Sequence, residues 1–369
     1  MRNRILRVIS LLLLATAAWQ AQSHEISSGY LTIESEGSSD ITGELSLKPY
    51  DLAHVVAVDN DANGQLSWGE VMLAQNEIGS YVQSHLTLTR SNEACELTSG
   101  TPKLSVVSGE NLITVPFTAA CPPGESLTVG YSGIFDFDPT HKVLTTFSDT
   151  GMPTSIVLSQ QSSTHEFTRN NTGFWDGVRS FVYEGIIHIW IGIDHILFLM
   201  ALLLTVNLIR RQESWVGHPT IAPILKETVY LVTAFTVAHS ITLTITALGW
   251  IAPSSRWVEV GIAVSVLLTA MNNIWPVVTR LTWITFAFGL LHGMGFASVF
   301  AELQSNSNST LVTVASFNIG VEIGQLVIVL AVLPLLIAVR KWRWYPKTLM
   351  PLASSAIAIV ALNWAIQRI

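Results

Sequence analysis

Four histidines, an aspartate and a glutamate fall inside long apolar stretches of this chain: His188, Asp194, His195, His239, His292 and Glu322. An ionisable side chain in a stretch of membrane-spanning length is costly, so a function is the default reason for its presence. Imidazole nitrogen combined with carboxylate oxygen is a donor set for nickel, cobalt, zinc or copper(II). His188 and His195 are seven residues apart, nearly two helical turns. They share a face but stand about 10.5 Å apart along a straight axis. One ion between them needs long reach or a local break, and Gly185 and Gly192 offer places for one. Glu184, one turn before His188, is a candidate supporting group, as are Glu259, Asn273 and Asn318. The asparagines also suit plain hydrogen bonding between helices. Imidazoles bind metal when neutral and carboxylates when ionised, so metal handling is expected to weaken below about pH 6.

The elements that must position these groups are membrane spans. Six stretches are long and apolar enough: about 182–207, 228–250, 257–276, 283–301, 311–339 and 348–366. Composition agrees. Of 369 residues 49% are hydrophobic and only 12% charged, against about 25% charged in a soluble globular protein. That excludes an ordinary cytosolic enzyme and a disordered regulator. Lys+Arg at 19 against Asp+Glu at 26 excludes a nucleic-acid binder. The net charge of −7 averages unlike parts. Residues 1–23 carry three Arg and no acid, residues 24–180 carry 19 acids against 6 bases, and residues 181–369 carry 7 acids against 10 bases.

The first part has the layout of a secretory signal peptide, 1–23: a basic start, a short apolar run and small residues, with cleavage fitting after Ala17 or after Ser23. Residues 24–178 then form an exported acidic domain. Its segments GYLTIE, ITGELSL, HLTLT, LITVPFT and SLTVGY alternate apolar with polar side chains and predict a β-sandwich. Its two cysteines, Cys95 and Cys121, are expected to pair in an oxidising compartment. Residues 59–70, DNDANGQLSWGE, carry the EF-hand-like calcium pattern. Asp59, Asp61 and Asn63 occupy alternate positions, Gly64 is sixth, Gln65 offers a backbone carbonyl, and Glu70 is twelfth as the bidentate closer. In FDFDPTHK, the group Asp136, Asp138 and His141 reads better as a turn at a strand end than as a second metal site.

With residues 24–178 outside, the loops 208–227, 277–282 and 340–347 are cytoplasmic, and they hold eight Lys and Arg against two on the other side. That is the positive-inside bias, reached without using it to set the orientation. The fold expected is therefore an all-α polytopic membrane domain of six helices, 181–366, preceded by a β-rich exported domain.

The segments HIWIGIDHILFLMALLL, TAFTVAHSITL, FGLLHGMGFA and FNIGVEIGQL resemble the HupE/UreJ family of nickel/cobalt permease-like membrane proteins. The resemblance spans the whole membrane domain, and His188, Asp194 and His195 fill a nickel-permease signature of His, five residues, Asp-His. The acidic domain is similar to the exported extension of one branch of that family. A second family motif survives only as Leu291-His292-Gly293, with Phe296 and Val299 where its second His and its Glu would stand. The resemblance implies a bacterial inner-membrane protein with a periplasmic N-terminal domain, acting on a divalent transition metal. The partners expected are metal ions and the lipid bilayer. A membrane-embedded metal-dependent hydrolase and a calcium-stabilised receptor module are the alternative readings of the same residues.

Overall fold

The computed structural model describes residues 27–368 apart from 36–39, 62, 64–65, 108–109, 150–152, 169–173, 212–213, 252, 279 and 296–306. The expected leader, Gly64, Gln65, Phe296 and Val299 lie outside the described residues.

Alternation of apolar and polar side chains makes the first half mostly strand. One sheet runs in the order β10 (Thr154–Ser159), β9 (Lys142–Ser148), β1 (Ser28–Glu34), β2 (Asp40–Leu47), β7 (Glu110–Ala120) and β5 (Glu96–Ser99), with β6 (Lys103–Val107) also on β7. The second sheet runs β11 (Thr164–Thr168), β8 (Ser126–Tyr131), β3 (Leu86–Arg90) and β4 (Glu93–Ala94). All pairings are antiparallel except β1 with β9, where Ser28 stands opposite Lys142. Both sheets turn side chains into one core: Leu31, Ile33, Leu45 and Phe117 from the first, Leu88, Val129 and Phe167 from the second. Three short helices, α1 (Pro49–Val55), α2 (Trp68–Leu73) and α3 (Gln75–His85), close that core with Leu52, Val71 and Ile78.

Cys95 and Cys121 form a disulfide across 26 residues. A loop of that size is worth about 3 kcal/mol through restriction of the unfolded chain. Reducing it in the full-length protein is expected to lower the thermal midpoint, and Cys95→Ser should reproduce the shift without reductant.

The 135–142 segment is a turn. Asp138 accepts from the amide (2.8 Å) and hydroxyl (2.7 Å) of Thr140, while the His141 amide bonds the Asp138 carbonyl. His141 is fully buried, with Nδ1 at 2.5 Å from the Ser27 hydroxyl, which itself donates to Asp51 at 2.7 Å. Burial pushes the His141 imidazole down to about 4, so it is neutral at ordinary pH and serves the core.

The second half is helical: α4 (Phe174–Ile191), α5 (Ile193–Val206), α6 (Ala222–Ala247), α7 (Ser255–Ile274), α8 (Leu281–Met294), α9 (Ser307–Val339) and α10 (Met350–Arg368). Among the described residues four helical stretches are long and apolar enough to cross a bilayer: Ala222–Ala247, Ser255–Ile274, Thr310–Val339 and Tyr345–Arg368. The expected first span is instead a broken pair, α4 and α5, bent by 68°. The described part of the expected fourth span is α8, of 14 residues, and residues 296–301 of that span lie outside the described residues. Among the described residues the six expected spans thus correspond to four continuous helices, a bent pair and a 14-residue helix. The bend falls at Gly192, whose φ of −67° and ψ of 86° leave the helical region.

Two packing devices hold the bundle. Asn273 is a polar node, donating to the Ala201 carbonyl (2.8 Å) and the Ser354 hydroxyl (3.1 Å) and accepting from Thr205 (3.3 Å). It thus ties α5, α7 and α10 together, as buried amides do where no water competes. At the crossing of α4 with α9 the backbones touch. A Cβ on Gly185 would collide with the Phe317 carbonyl, and one on Gly320 with the Val182 carbonyl.

Candidate metal centre

The break at Gly192 changes the spacing of the first two ligands. On a straight helix His188 and His195 stand two turns apart. With the chain bent, their ring centroids are 4.8 Å apart. A side chain at Gly192 would press on His195 Nδ1 at 2.6 Å and on Asp194 Oδ1 at 3.2 Å, so the absence of one leaves room for that pair. Asp194 sits in the first turn of α5, where the helix dipole favours a carboxylate.

His239 from α6 and His292 from α8 complete the cluster. The His195 ring centroid lies 6.2 Å from that of His239 and 4.9 Å from that of His292. Ligand atoms of His188, His195 and His239 all lie within 4.8 Å of one another, and so do those of Asp194, His195 and His292. The two groups share His195.

The hydrogen bonds around the cluster assign the tautomers. His239 Nδ1 donates to the Asn318 side-chain carbonyl at 3.3 Å, which leaves Nε2 as the lone-pair atom. The Ser265 hydroxyl donates to the Ile262 carbonyl at 2.7 Å, so it accepts from His292 Nε2 at 3.1 Å and leaves Nδ1 bare. His195 Nδ1 faces Asp194 Oδ1 at 3.0 Å, which leaves its Nε2 bare. Those three remaining nitrogens, His195 Nε2, His239 Nε2 and His292 Nδ1, are buried without a hydrogen-bond partner. Buried polar atoms are rarely left so. A metal-binding histidine has this arrangement, one nitrogen held by an outer partner and the other presented to the ion.

The surroundings are dry. His239 and His292 are almost fully buried. Phe198, Phe235 and Phe317, all buried, line the cluster, with Phe317 at 5.3 Å from His188 and Phe198 at 5.1 Å from His292. Apolar walls strengthen each charge–dipole interaction inside them.

The structure thus brings together His188, Asp194, His195, His239 and His292, with Asn318 behind them. It does not bring in the other residues expected from the sequence. Glu322 is exposed on α9, although it lies only one turn on from the inward-facing Asn318. Gln325, seven residues on from Asn318, faces inward and accepts from Thr236 at 3.0 Å. Glu259 is held near the N-terminal end of α7 by Arg368 (3.5 Å) and Ser255 (3.3 Å). Asn273 belongs to the packing node. Glu184 pairs with Lys142. Sequence reasoning passed over Ser265 and the phenylalanine walls, since neither residue type is a metal ligand and only the fold sets them against imidazole.

In the β-rich domain a second group forms at the acidic loop. Single oxygens of Asp59, Asp61 and Glu70 lie within 4.8 Å of one another. Ser67 caps α2 in a reciprocal box with Glu70, and the Glu70 carboxylate also accepts from the Asn60 amide at 3.1 Å. Hydrogen bonds from the Ser67 hydroxyl and amide hold Glu70 below the usual carboxylate range. The exposed Asn63 donates its amide to Asp59 Oδ1 at 3.2 Å and Asp61 Oδ1 at 3.1 Å, and its side-chain nitrogen to Asp61 Oδ2 at 2.7 Å.

Residues 163–368, more than half of the chain, match a family described as HupE / UreJ protein. The β-rich domain lies almost entirely before the matched range. No curated protein matches the chain.

Proposed function

This chain belongs to the HupE/UreJ family, whose members are membrane proteins of metal transport, and on that premise we propose that it is a permease for a divalent transition-metal ion, nickel or cobalt first. The observation that carries this reading is the pair of ligand groups hinged on His195. An ion held by His188, His195 and His239 has, two ligand exchanges away, a second position at Asp194, His195 and His292. His195 stays bound throughout while its partners change. Neutral nitrogen and a single carboxylate favour nickel, cobalt or zinc over calcium or magnesium, which want oxygen. Nickel and cobalt are set ahead of zinc by the family. The setting we propose is a bacterial inner membrane with residues 24–178 in the periplasm, supported by the Lys and Arg excess in the loops assigned to the cytoplasm.

The test is flux. Proteoliposomes loaded with a metal-sensitive dye should admit cobalt(II) and nickel(II) in a saturable way and exclude calcium and magnesium. Equal passage of all four, or none, refutes a transition-metal permease.

The exported domain we take to bind one calcium ion at Asp59, Asp61, Asn63, Gln65 and Glu70, as a structural clip. The clustered oxygens and the capping of α2 by the same loop support it. Extracellular loops of this kind bind at about 0.1–1 mM. Calcium at about 100 times that constant should therefore add roughly 2.7 kcal/mol, read as a rise in the thermal midpoint. Glu70→Gln should erase the rise while leaving metal flux through the membrane domain measurable.

A further inference from the structure

One stripe of α4 joins the exported domain to the metal centre. Ser180, Glu184 and His188 recur every fourth residue and so share a face. The Ser180 hydroxyl accepts from the Val157 amide of β10 at 3.3 Å. Glu184 is ion-paired with Lys142, the first residue of β9. His188 is a ligand of the first metal group. Apolar contacts seat the same interface, with Tyr30, Leu144 and Val157 of the sheets packed with Phe181 and Phe317 of the helices. The backbone of Lys142 is fixed, since its amide bonds the Ser27 carbonyl at 3.3 Å and its neighbour His141 is buried. Its side chain is not fixed in the same way, being 23% exposed against 10% for Glu184.

We propose that Lys142 and Glu184 form a cation-exchange gate on the outer side of the metal centre. The lysine ammonium is a tethered occupant of the Glu184 carboxylate, and an arriving divalent cation displaces it before passing one turn down the helix to His188. This rests on the permease reading. Charge explains the selectivity of the step. A monovalent cation that replaces the ammonium gains no charge at Glu184, whereas a divalent one doubles it. Proximity explains the direction, because Glu184 and His188 are one turn apart, about 6 Å along the axis. The flexible four-carbon stem of lysine lets the ammonium swing to water without moving β9. The exported domain thereby sets how readily the centre fills.

The test uses the full-length protein in proteoliposomes, with cobalt(II) as the probe. Lys142→Met keeps the apolar stem and removes the charge. It is expected to lower the half-saturating cobalt concentration about fivefold, with maximal flux unchanged. Lys142→Arg keeps the charge and should stay at or above the wild-type value, and it guards against a Lys142→Met chain that fails to fold. Lys142→Met with Glu184→Gln should behave as Glu184→Gln alone, since the lysine acts through that carboxylate. An unchanged half-saturation in Lys142→Met, or reduced maximal flux at the wild-type half-saturation, overturns the gate and makes the pair a clip between domains. Equilibrium cobalt binding followed by absorption, present in the wild type and lost in His195→Ala, establishes the centre independently of the gate. Absence of cobalt binding in the wild type overturns both readings.

Discussion

Replacing His195 by alanine is expected to abolish cobalt(II) binding and flux together. The reason is its double use. His195 belongs to both ligand groups, and its removal leaves two residues in each, His188 with His239 and Asp194 with His292. Two donors do not hold a borderline metal in a closed site, which takes three or four. The loss should exceed 100-fold in affinity, because removing even an outer partner of a metal ligand typically costs 10–100-fold. Asn318→Ala and Ser265→Ala test that outer layer separately. Each leaves all ligands in place and removes the bond that fixes a tautomer, so each should weaken binding 10–100-fold with only a small change in the thermal midpoint. His218, between α5 and α6 with its ring on the Thr220 carbonyl at 2.9 Å, is the control, and His218→Ala should leave binding unchanged. The measurement is the cobalt absorption spectrum of purified protein against metal concentration. Wild-type affinity in His195→Ala would show that the cluster is a packing device.

Gly185→Leu is expected to unfold or mis-seat the α4–α9 pair. At that crossing the backbones themselves are in contact, so there is no flexible side chain to give way. A Cβ at Gly185 meets the Phe317 carbonyl, the Val321 amide at 2.9 Å and Gly320 Cα at 3.0 Å. The helices must separate, and the stripe bearing Glu184 and His188 moves away from Asn318 and His239. Overpacking of this kind costs about 1–3 kcal/mol for small insertions and more for a whole leucine. Gly320→Leu, on the facing helix, should have the same effect. Gly261→Ala is the contrasting case, since its added Cβ would sit 3.6 Å from Leu291 in ordinary contact. It should change neither the thermal midpoint nor cobalt binding. A tolerated Gly185→Leu would mean that the two helices do not pack as described.

Much of this molecule is legible one segment at a time. Alternation of apolar with polar side chains in 28–34, 40–47 and 126–131 marks strands, because successive side chains of a pleated strand point to opposite faces. Long apolar runs mark membrane helices, because only a helix satisfies its own backbone without water. Metal chemistry is legible too, since imidazole in hydrocarbon is too costly to be incidental. The pairing of Cys95 with Cys121 needs no more than two cysteines and an oxidising side.

What the segments do not contain is how distant faces are turned toward each other. Glu322 has the chemistry of a ligand, and the sequence places it between Asn318 and Gln325, but the packing of α9 leaves its side chain exposed. His188 and His195 are two turns apart until the bend at Gly192 folds them to 4.8 Å. A glycine permits a break without requiring one, and it is packing of α4 on α9 and α5 on α7 that makes the chain take it. Ser265 and Lys142 carry no signal in their own segments. Their roles arise from facing His292 and Glu184 across 27 and 42 residues of chain. The sequence by itself determined the kinds of atoms available to an ion and the elements that carry them, because those depend on residue type and period. The tertiary structure alone decided which of those atoms converge, because convergence depends on helix rotation, backbone breaks and the contacts between elements far apart in the chain.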